Sequence, residues 1–214
     1  MLGTPKRDRI AERRAATRRE ILDAAWALAR ESGLTQITLR DVADRVGMQA
    51  PSLYGHFASK MAIYDAMFGD AWSEYEATLD KLDATVAELE ANDPRAAMYL
   101  VSRQFYDFSV ADHPRYQLMN ERIVPGFEPS PESYAPSVRV MERGRRRVMD
   151  LGDISDADFT IWVSILGGLI NQHFANDPGG TRITALLARA VDMWADAVGL
   201  PASSSDPSPD GSPR

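Results

Sequence analysis

Apolar residues along this chain recur at three- and four-residue spacing, the period of a helix with one buried face. Ile21, Leu22, Ala25, Trp26, Leu28 and Ala29 follow Thr17-Arg-Arg-Glu20, which has the form of a capping box, and Ser32-Gly33 stops the run. A second box, Thr38-Leu-Arg-Asp41, opens a short segment carrying Val42, Ala43 and Val46, and Gly47 ends it. Pro51 then starts a third helix over residues 50–57, where a missing backbone N–H does no harm, and Leu53 and Phe57 fall four apart on it. Ser59 caps a much longer helix with Ile63, Met67 and Ala71 on one face, reaching about Glu90. Asp93-Pro94 begins an aromatic-rich helix, and His113-Pro114 marks a break. Residues 124–136 read as a long proline-punctuated loop, followed by a helix around 137–151. Ser155-Asp-Ala-Asp158 caps the run FTIWVSILGGLINQHF, NDPGG interrupts it, and Ile183 to Val198 forms a last helix. No hairpin dipeptide or sustained alternation competes with this pattern. The fold class expected is all-α.

Composition narrows the function classes. With 44% hydrophobic residues the 214-residue chain can bury a real core, and its lack of cysteine excludes disulfides and thiolate metal sites, which fits a reducing cytoplasm. No apolar run of membrane-spanning length appears, and the charged first twenty residues do not read as a secretory signal. The net charge of −7 hides an asymmetry: residues 1–60 hold 11 Lys/Arg against 7 Asp/Glu, and the remainder holds 13 against 24. A basic N-terminal third on an acidic body suggests a local nucleic-acid footprint.

The three short helices of residues 17–57 fit a helix-turn-helix whose last helix enters the major groove. Leu53 and Phe57 would bury against Val42, Val46 and the first helix, leaving the polar positions outward. Gln49 and Ser52 can bond base edges, Ala50 and the Pro51 ring can touch a thymine methyl, and Arg40 can reach a guanine or a phosphate. Tyr54, His56 and Lys60 suit phosphates, and the segment PKRDRIAERRAATRR adds diffuse positive charge.

The segment TLRDVADRVGMQAPSLYGHFASKMAIYDAM, with the preceding ILDAAWALARESG, resembles the DNA-binding domain of the TetR family of transcriptional repressors over roughly residues 15–68. The resemblance implies DNA contacts at Thr38, Arg40, Gln49, Ser52, Tyr54, His56 and Lys60. Gly55 departs from it, because relatives often carry a bulkier residue there. The resemblance further implies a helical regulatory domain that dimerises and holds a small-molecule effector, whose binding tilts the helix beginning at Ser59. The organisation expected is a basic arm (1–16), a helix-turn-helix domain (17–62), a regulatory and dimerisation domain (63–199) and a disordered tail (200–214).

In the acidic body, Ile161, Ile165, Gly168 and Leu169 form one apolar stripe, and Leu187, Val191, Trp194 and Val198 form another. Two such helices from each subunit can build a four-helix homodimer interface. Tyr99, Phe105, Phe108, Met119, Met141 and Trp162 are candidate pocket residues for an apolar or aromatic effector. The Arg143–Arg147 cluster reads as a solvated helix face, and Asp153, Asp156 and Asp158 as charge at a helix N-terminus. Neither a metal-ligand spacing nor a phosphate loop nor a nucleophile elbow is present, so no cofactor and no enzyme activity are expected. The function expected is a DNA-binding regulator, with a DNA-independent ligand-binding protein or an activator as alternatives.

Overall fold

The computed structural model describes residues 6–202. Among them lie nine α-helices: α1 (Lys6–Ser32), α2 (Leu39–Arg45), α3 (Ala50–Leu53), α4 (Lys60–Asn92), α5 (Pro94–Val110), α6 (His113–Asn120), α7 (Pro131–Asp150), α8 (Asp156–Asn176) and α9 (Leu187–Ala197). No helix among the described residues is long and apolar enough to cross a membrane. The chain folds as two compact units. The first runs to Glu74 and also takes in Asp112–Val138; the second comprises Tyr75–Ala111 and the chain from Arg139 onward.

The first unit is built on the apolar stripe read from the sequence. Ile21, Ala25, Val42, Leu53, Phe57, Ile63 and Met67 are all buried, whereas Val46 is only half-buried. Thr17 does not start a helix. It lies inside α1, which is already helical from Lys6, so residues 6–16 of the expected arm are helix and residues 1–5 lie outside the described residues. The caps that do act in this unit sit at real chain reversals. Thr38 Oγ1 accepts the Asp41 amide (3.1 Å), and Ser59 Oγ accepts that of Ala62 (3.1 Å).

Two carboxylates organise the rest of this unit. Asp112 caps α6 by accepting the Arg115 amide at Oδ1 (3.2 Å), and its Oδ2 accepts both Nε (2.9 Å) and Nη2 (2.6 Å) of Arg30 from the end of α1. Asp112 is buried, so the pair satisfies a carboxylate that would otherwise be costly to desolvate. Asp65 of α4 accepts the Ser130 amide (2.7 Å), the Ser130 hydroxyl (2.9 Å) and the Ser133 hydroxyl (2.9 Å). With its first turn held this way, α7 begins at Pro131 rather than near residue 137. The expected loop through Pro136 is corrected accordingly. Pro131 stands where a missing N–H is harmless, and Pro136 falls inside the helix at the cost of one backbone hydrogen bond.

In the second unit α5 packs on α8 and α9 around Met98, Trp162, Leu166, Ile170, Leu187, Val191 and Trp194. Two pairs of its buried polar groups meet: Trp162 Nε1 donates to Ser102 Oγ (3.1 Å), and Tyr106 Oη lies 3.1 Å from His173 Nδ1. Ser155 and Asp158 form the expected capping box of α8. Leu200 is buried and Arg95 donates to the carbonyls of Leu200 (2.7 Å) and Pro201 (2.6 Å); residues 203–214 of the expected tail lie outside the described residues.

Within the Arg143–Arg147 cluster of α7, Arg145 and Arg146 are exposed as expected, whereas Arg143 and Arg147 are half-buried against α4, in line with Arg139. Arg139 pairs with Glu76 (2.6 Å), Arg143 with Asp80 (2.7 Å) and Asp83, and Arg147 with Asp83 (3.1 Å) and Glu90 (2.7 Å). Positions four apart on α7 therefore meet successive carboxylates of α4 as an ion-pair ladder. Hydrogen bonds from Arg143, then Arg147, hold the Asp83 carboxyl below its ordinary pKa, and Arg139 does the same for Glu76. Burial pushes Glu90 the other way. A carboxyl with a depressed folded-state pKa stabilises fully above its unfolded value and loses that contribution as pH falls through the folded value. Arg143→Met should therefore lower the Tm at neutral pH and flatten its fall between about pH 5 and 3. The loss should not exceed about 2–4 °C, because Asp83 stays half-exposed and solvent screens the pair. Thermal melts across that range check this; parallel Tm–pH curves would remove the ladder's role.

Candidate nucleic-acid interface

The α2–turn–α3 unit is set by backbone chemistry at Gly47. Its φ of 67° is left-handed, and the Met48 amide closes back on the Ala43 carbonyl (2.8 Å), which ends α2 and redirects the chain. Helix α3 is shorter than the expected 50–57. Its α-helical part ends at Leu53, and the chain continues as tight turns, Gly55 N to Ser52 O (3.1 Å) and His56 N to Leu53 O (2.9 Å). Gly55 lies within these turns, where an added Cβ would come 3.2 Å from the Ser52 carbonyl. The missing side chain thus eases the tightest part of the turn.

Leu53 and Phe57 point inward, fully covered, while Arg40, Gln49, Pro51, Ser52 and Tyr54 stand exposed and Ala50 and His56 are half-buried. Arg40 is restrained only by a loose contact with Asp44 (3.8 Å), so its guanidinium is free to swing. Thr38 is exposed, with its hydroxyl engaged by the Asp41 carboxylate (2.6 Å) as well as the amide. Lys60 departs from a freely projecting cation: its ammonium donates to the Thr35 carbonyl (3.2 Å) and lies 5.4 Å from the Tyr64 ring, which leaves two of its three N–H groups. Nδ1 of His56 is buried without a hydrogen-bond partner. The nine positions read as DNA contacts thus share the outer side of one small unit, with Thr38 and Lys60 also serving the fold.

Two residues that the sequence reads only as diffuse positive charge have a specific role at this site. Arg14 Nη2 donates to the Gly55 carbonyl (3.1 Å), and Arg18 donates to the His56 carbonyl while its guanidinium lies 4.0 Å over the Phe57 ring. Both satisfy carbonyls at the end of α3 that a four-residue helix cannot satisfy itself. A signal existed: 14, 18, 21 and 25 continue one helical stripe, so the arginines lie in register with Ile21 and Ala25.

The remaining candidates are less coherent. Tyr99 and Met141 are 37% and 40% exposed, Phe105 and Phe108 are half-buried with their rings against Tyr75, and Trp162 is packed between Phe159 and Trp194. Met119 belongs to the first unit and lines a cleft of about 200 Å³ there, together with residues of α4, α6, α7 and the α6–α7 connection. Of the two apolar stripes, that of α8 is outward: Ile161 and Gly168 are exposed, Ile165 and Leu169 half-exposed. The α9 stripe is corrected. Leu187, Val191 and Trp194 are buried in their own subunit's core, and the outward apolar residues of that region are Leu186 and Met193. Asp158 belongs to the α8 capping box and Asp156 pairs with Arg145 (2.9 Å); no potential metal-binding group of His, Cys, Asp and Glu occurs among the described residues.

Comparison with known proteins agrees with this geometry. Residues 21–67 match the model of "Bacterial regulatory proteins, tetR family". The HTH-type transcriptional repressor KstR2 of Mycobacterium tuberculosis is 43% identical over 60 residues, which cover 28% of this chain and 30% of KstR2. The chain thus spans under a third of the length of the first curated relatives it matches. The class A tetracycline repressor from transposon 1721 of Escherichia coli is 25% identical over 189 residues, 83% of this chain and 80% of that protein. The crystal structure of the TetR-family regulator PfmR from Thermus thermophilus shares the fold at a TM-score of 0.61, with 22% identity over 81% of this chain and 96% of the other. Residues 21–67 thus carry the helix-turn-helix of the tetR family of bacterial regulatory proteins, and the all-helical fold is shared with PfmR over 81% of this chain.

Proposed function

We propose that the protein is a ligand-responsive transcriptional repressor that binds a pseudo-palindromic operator as a homodimer. The observation that carries this reading is the division of labour in residues 38–60: apolar anchors are buried, and the groups that suit bases and phosphates are outward on a rigid turn. Gln49, Ser52 and Arg40 read base edges, with Ala50 and Pro51 available to thymine methyls. Tyr54, His56, Thr38 and the remaining donors of Lys60 position the unit on phosphates. Nδ1 of His56 is buried and unpaired, which favours the tautomer carrying its proton on Nε2, a donor suited to a phosphate oxygen. Repression is supported by the names of KstR2 and the tetracycline repressor.

The exposed α8 stripe supplies an isologous surface, so that two copies present their α3 helices to half-sites about 34 Å, one helical turn, apart or a multiple of it. An apolar or aromatic effector releases DNA by favouring a DNA-incompetent placement of α4, for a coupling of about 1–3 kcal/mol.

Selection of bound sequences from a random DNA pool should yield an inverted repeat; recovery of unrelated sequences would remove operator recognition. On that repeat, Arg40→Ala and Gln49→Ala should each cost about 1–3 kcal/mol and relax preference at one position, read by competition binding. Equal losses on operator and random DNA would refute base reading. Tyr54→Phe should weaken binding to all sequences alike, and an unchanged gel-shift affinity would exclude its phosphate contact. Ile165→Glu, placed on the outward stripe, should shift the protein from dimer to monomer in sedimentation velocity without lowering helix content. A dimer that persists would move the interface elsewhere.

A further inference from the structure

We infer that the cleft beside the α6–α7 connection of the first unit is the effector site, and that it takes a flat organic cation. The inference rests on the ligand-responsive reading above and gives it a place and a chemical class. The cleft holds about 200 Å³, below the roughly 300–1,000 Å³ usual for drug-sized ligands, so it suits a molecule of one or two fused rings. Three aromatic rings shape it. Phe68 of α4 lies nearly parallel to Tyr134 of α7 (16°, centroids 6.1 Å apart), and Phe127 of the connection is tilted against Phe68 at 6.2 Å. Tyr134 is half-exposed, so its ring is open to a ligand.

Charge decides the class. The polar lining includes the carboxylates Glu121 and Glu128 against one guanidinium, Arg122. Glu121 takes only a long contact from the Gln117 amide (3.4 Å), which leaves most of its acceptor capacity unspent. Aromatic faces attract cations through their quadrupole, and the excess carboxylate adds to that attraction. An anion of the same shape would meet unfavourable charge from both sources.

The position of the cleft explains how occupancy would be felt by the DNA-binding turn. Its α4 and α7 walls cross closely: a Cβ added at Gly69 would lie 3.2 Å from both Cα and Oγ of Ser133, so the helices have no slack at this point. One turn earlier Asp65 binds Ser130 and Ser133, and α4 itself begins at Lys60, three residues after the core anchor Phe57. A ring stacked on Phe68 or Tyr134 therefore presses on the crossing that holds the first turns of α4. At the other wall α6 is tied to α1 through Asp112 and Arg30.

The test is calorimetric titration of the full chain at pH 8 with N-methylquinolinium, neutral quinoline and the 2-naphthoate anion. The cation should bind once per chain, about tenfold or more tighter than either isostere. Glu121→Gln combined with Glu128→Gln should remove about tenfold of that affinity, and charge reversal at both positions to Lys should turn the preference toward naphthoate, a change that a folding defect does not produce. Equal binding of the three probes, absence of binding, or a preference unmoved by either double variant overturns the inference. Release of operator DNA is measured separately. If the cation binds as expected and DNA stays bound, the cleft is a binding site but not the effector site, and the inference falls while the ligand-responsive reading is untouched. If a different ligand releases DNA and the double variants do not alter that release, the reading stands and the cleft is not the effector site.

Discussion

A helix of one turn does not hold itself together in water, and everything proposed for this protein depends on such a helix. Helix α3 keeps its shape because α1 grips it from outside. Leu53 and Phe57 supply buried area, and Arg14 and Arg18 supply hydrogen bonds to the carbonyls of Gly55 and His56 that would otherwise end unpaired. The guanidinium of Arg18 also covers the Phe57 ring, so one side chain joins the apolar anchor to the backbone it anchors. This arrangement leaves the opposite side of the turn free of structural duty, and that side carries Gln49, Ser52 and Tyr54.

The same device, a charged side chain closing the end of a helix from a distant element, recurs through the first unit. Asp112 serves α6 and Arg30 together, and Asp65 serves the start of α7. Because these bonds join α1 to α6 and α4 to α7, residues 112–138 fold with the helix-turn-helix rather than apart from it. A boundary near residue 62 drawn from the motif alone separates segments that the contacts join. In the second unit the tie between α4 and α7 is an ion-pair ladder at the surface, where each pair contributes little and their repetition fixes the register of the two helices.

Much of this was legible in the sequence, because helix period, capping chemistry and the V-A-x-x-V-G turn are local properties. The all-helical class, the caps at Thr38, Ser59, Asp93 and Ser155, the burial of Leu53 and Phe57 and the exposure of Tyr54 all follow from residues within a few positions of each other. Local chemistry also misled where a distant partner intervened. Thr17-Arg-Arg-Glu20 has the form of a cap, yet the helix runs through it. Pro136 looked like a helix breaker, yet α7 includes it because Asp65 secures the turn before it.

What the sequence determined by itself is the helical content, the α2–α3 turn and the identity of its outward residues, all set by spacing along one chain. What only the tertiary structure decided is which of two equally apolar stripes faces solvent and which side chains meet across helices. Leu187, Val191 and Trp194 carry the same period as Ile161, Ile165 and Leu169, but the first set is buried under α5 and α8 and the second is left outward. Periodicity marks an apolar face without naming its partner; the partner is chosen by packing between segments far apart in the chain. The pairing of Arg143 with Asp80 and of Arg18 with the His56 carbonyl belongs to the same class of fact.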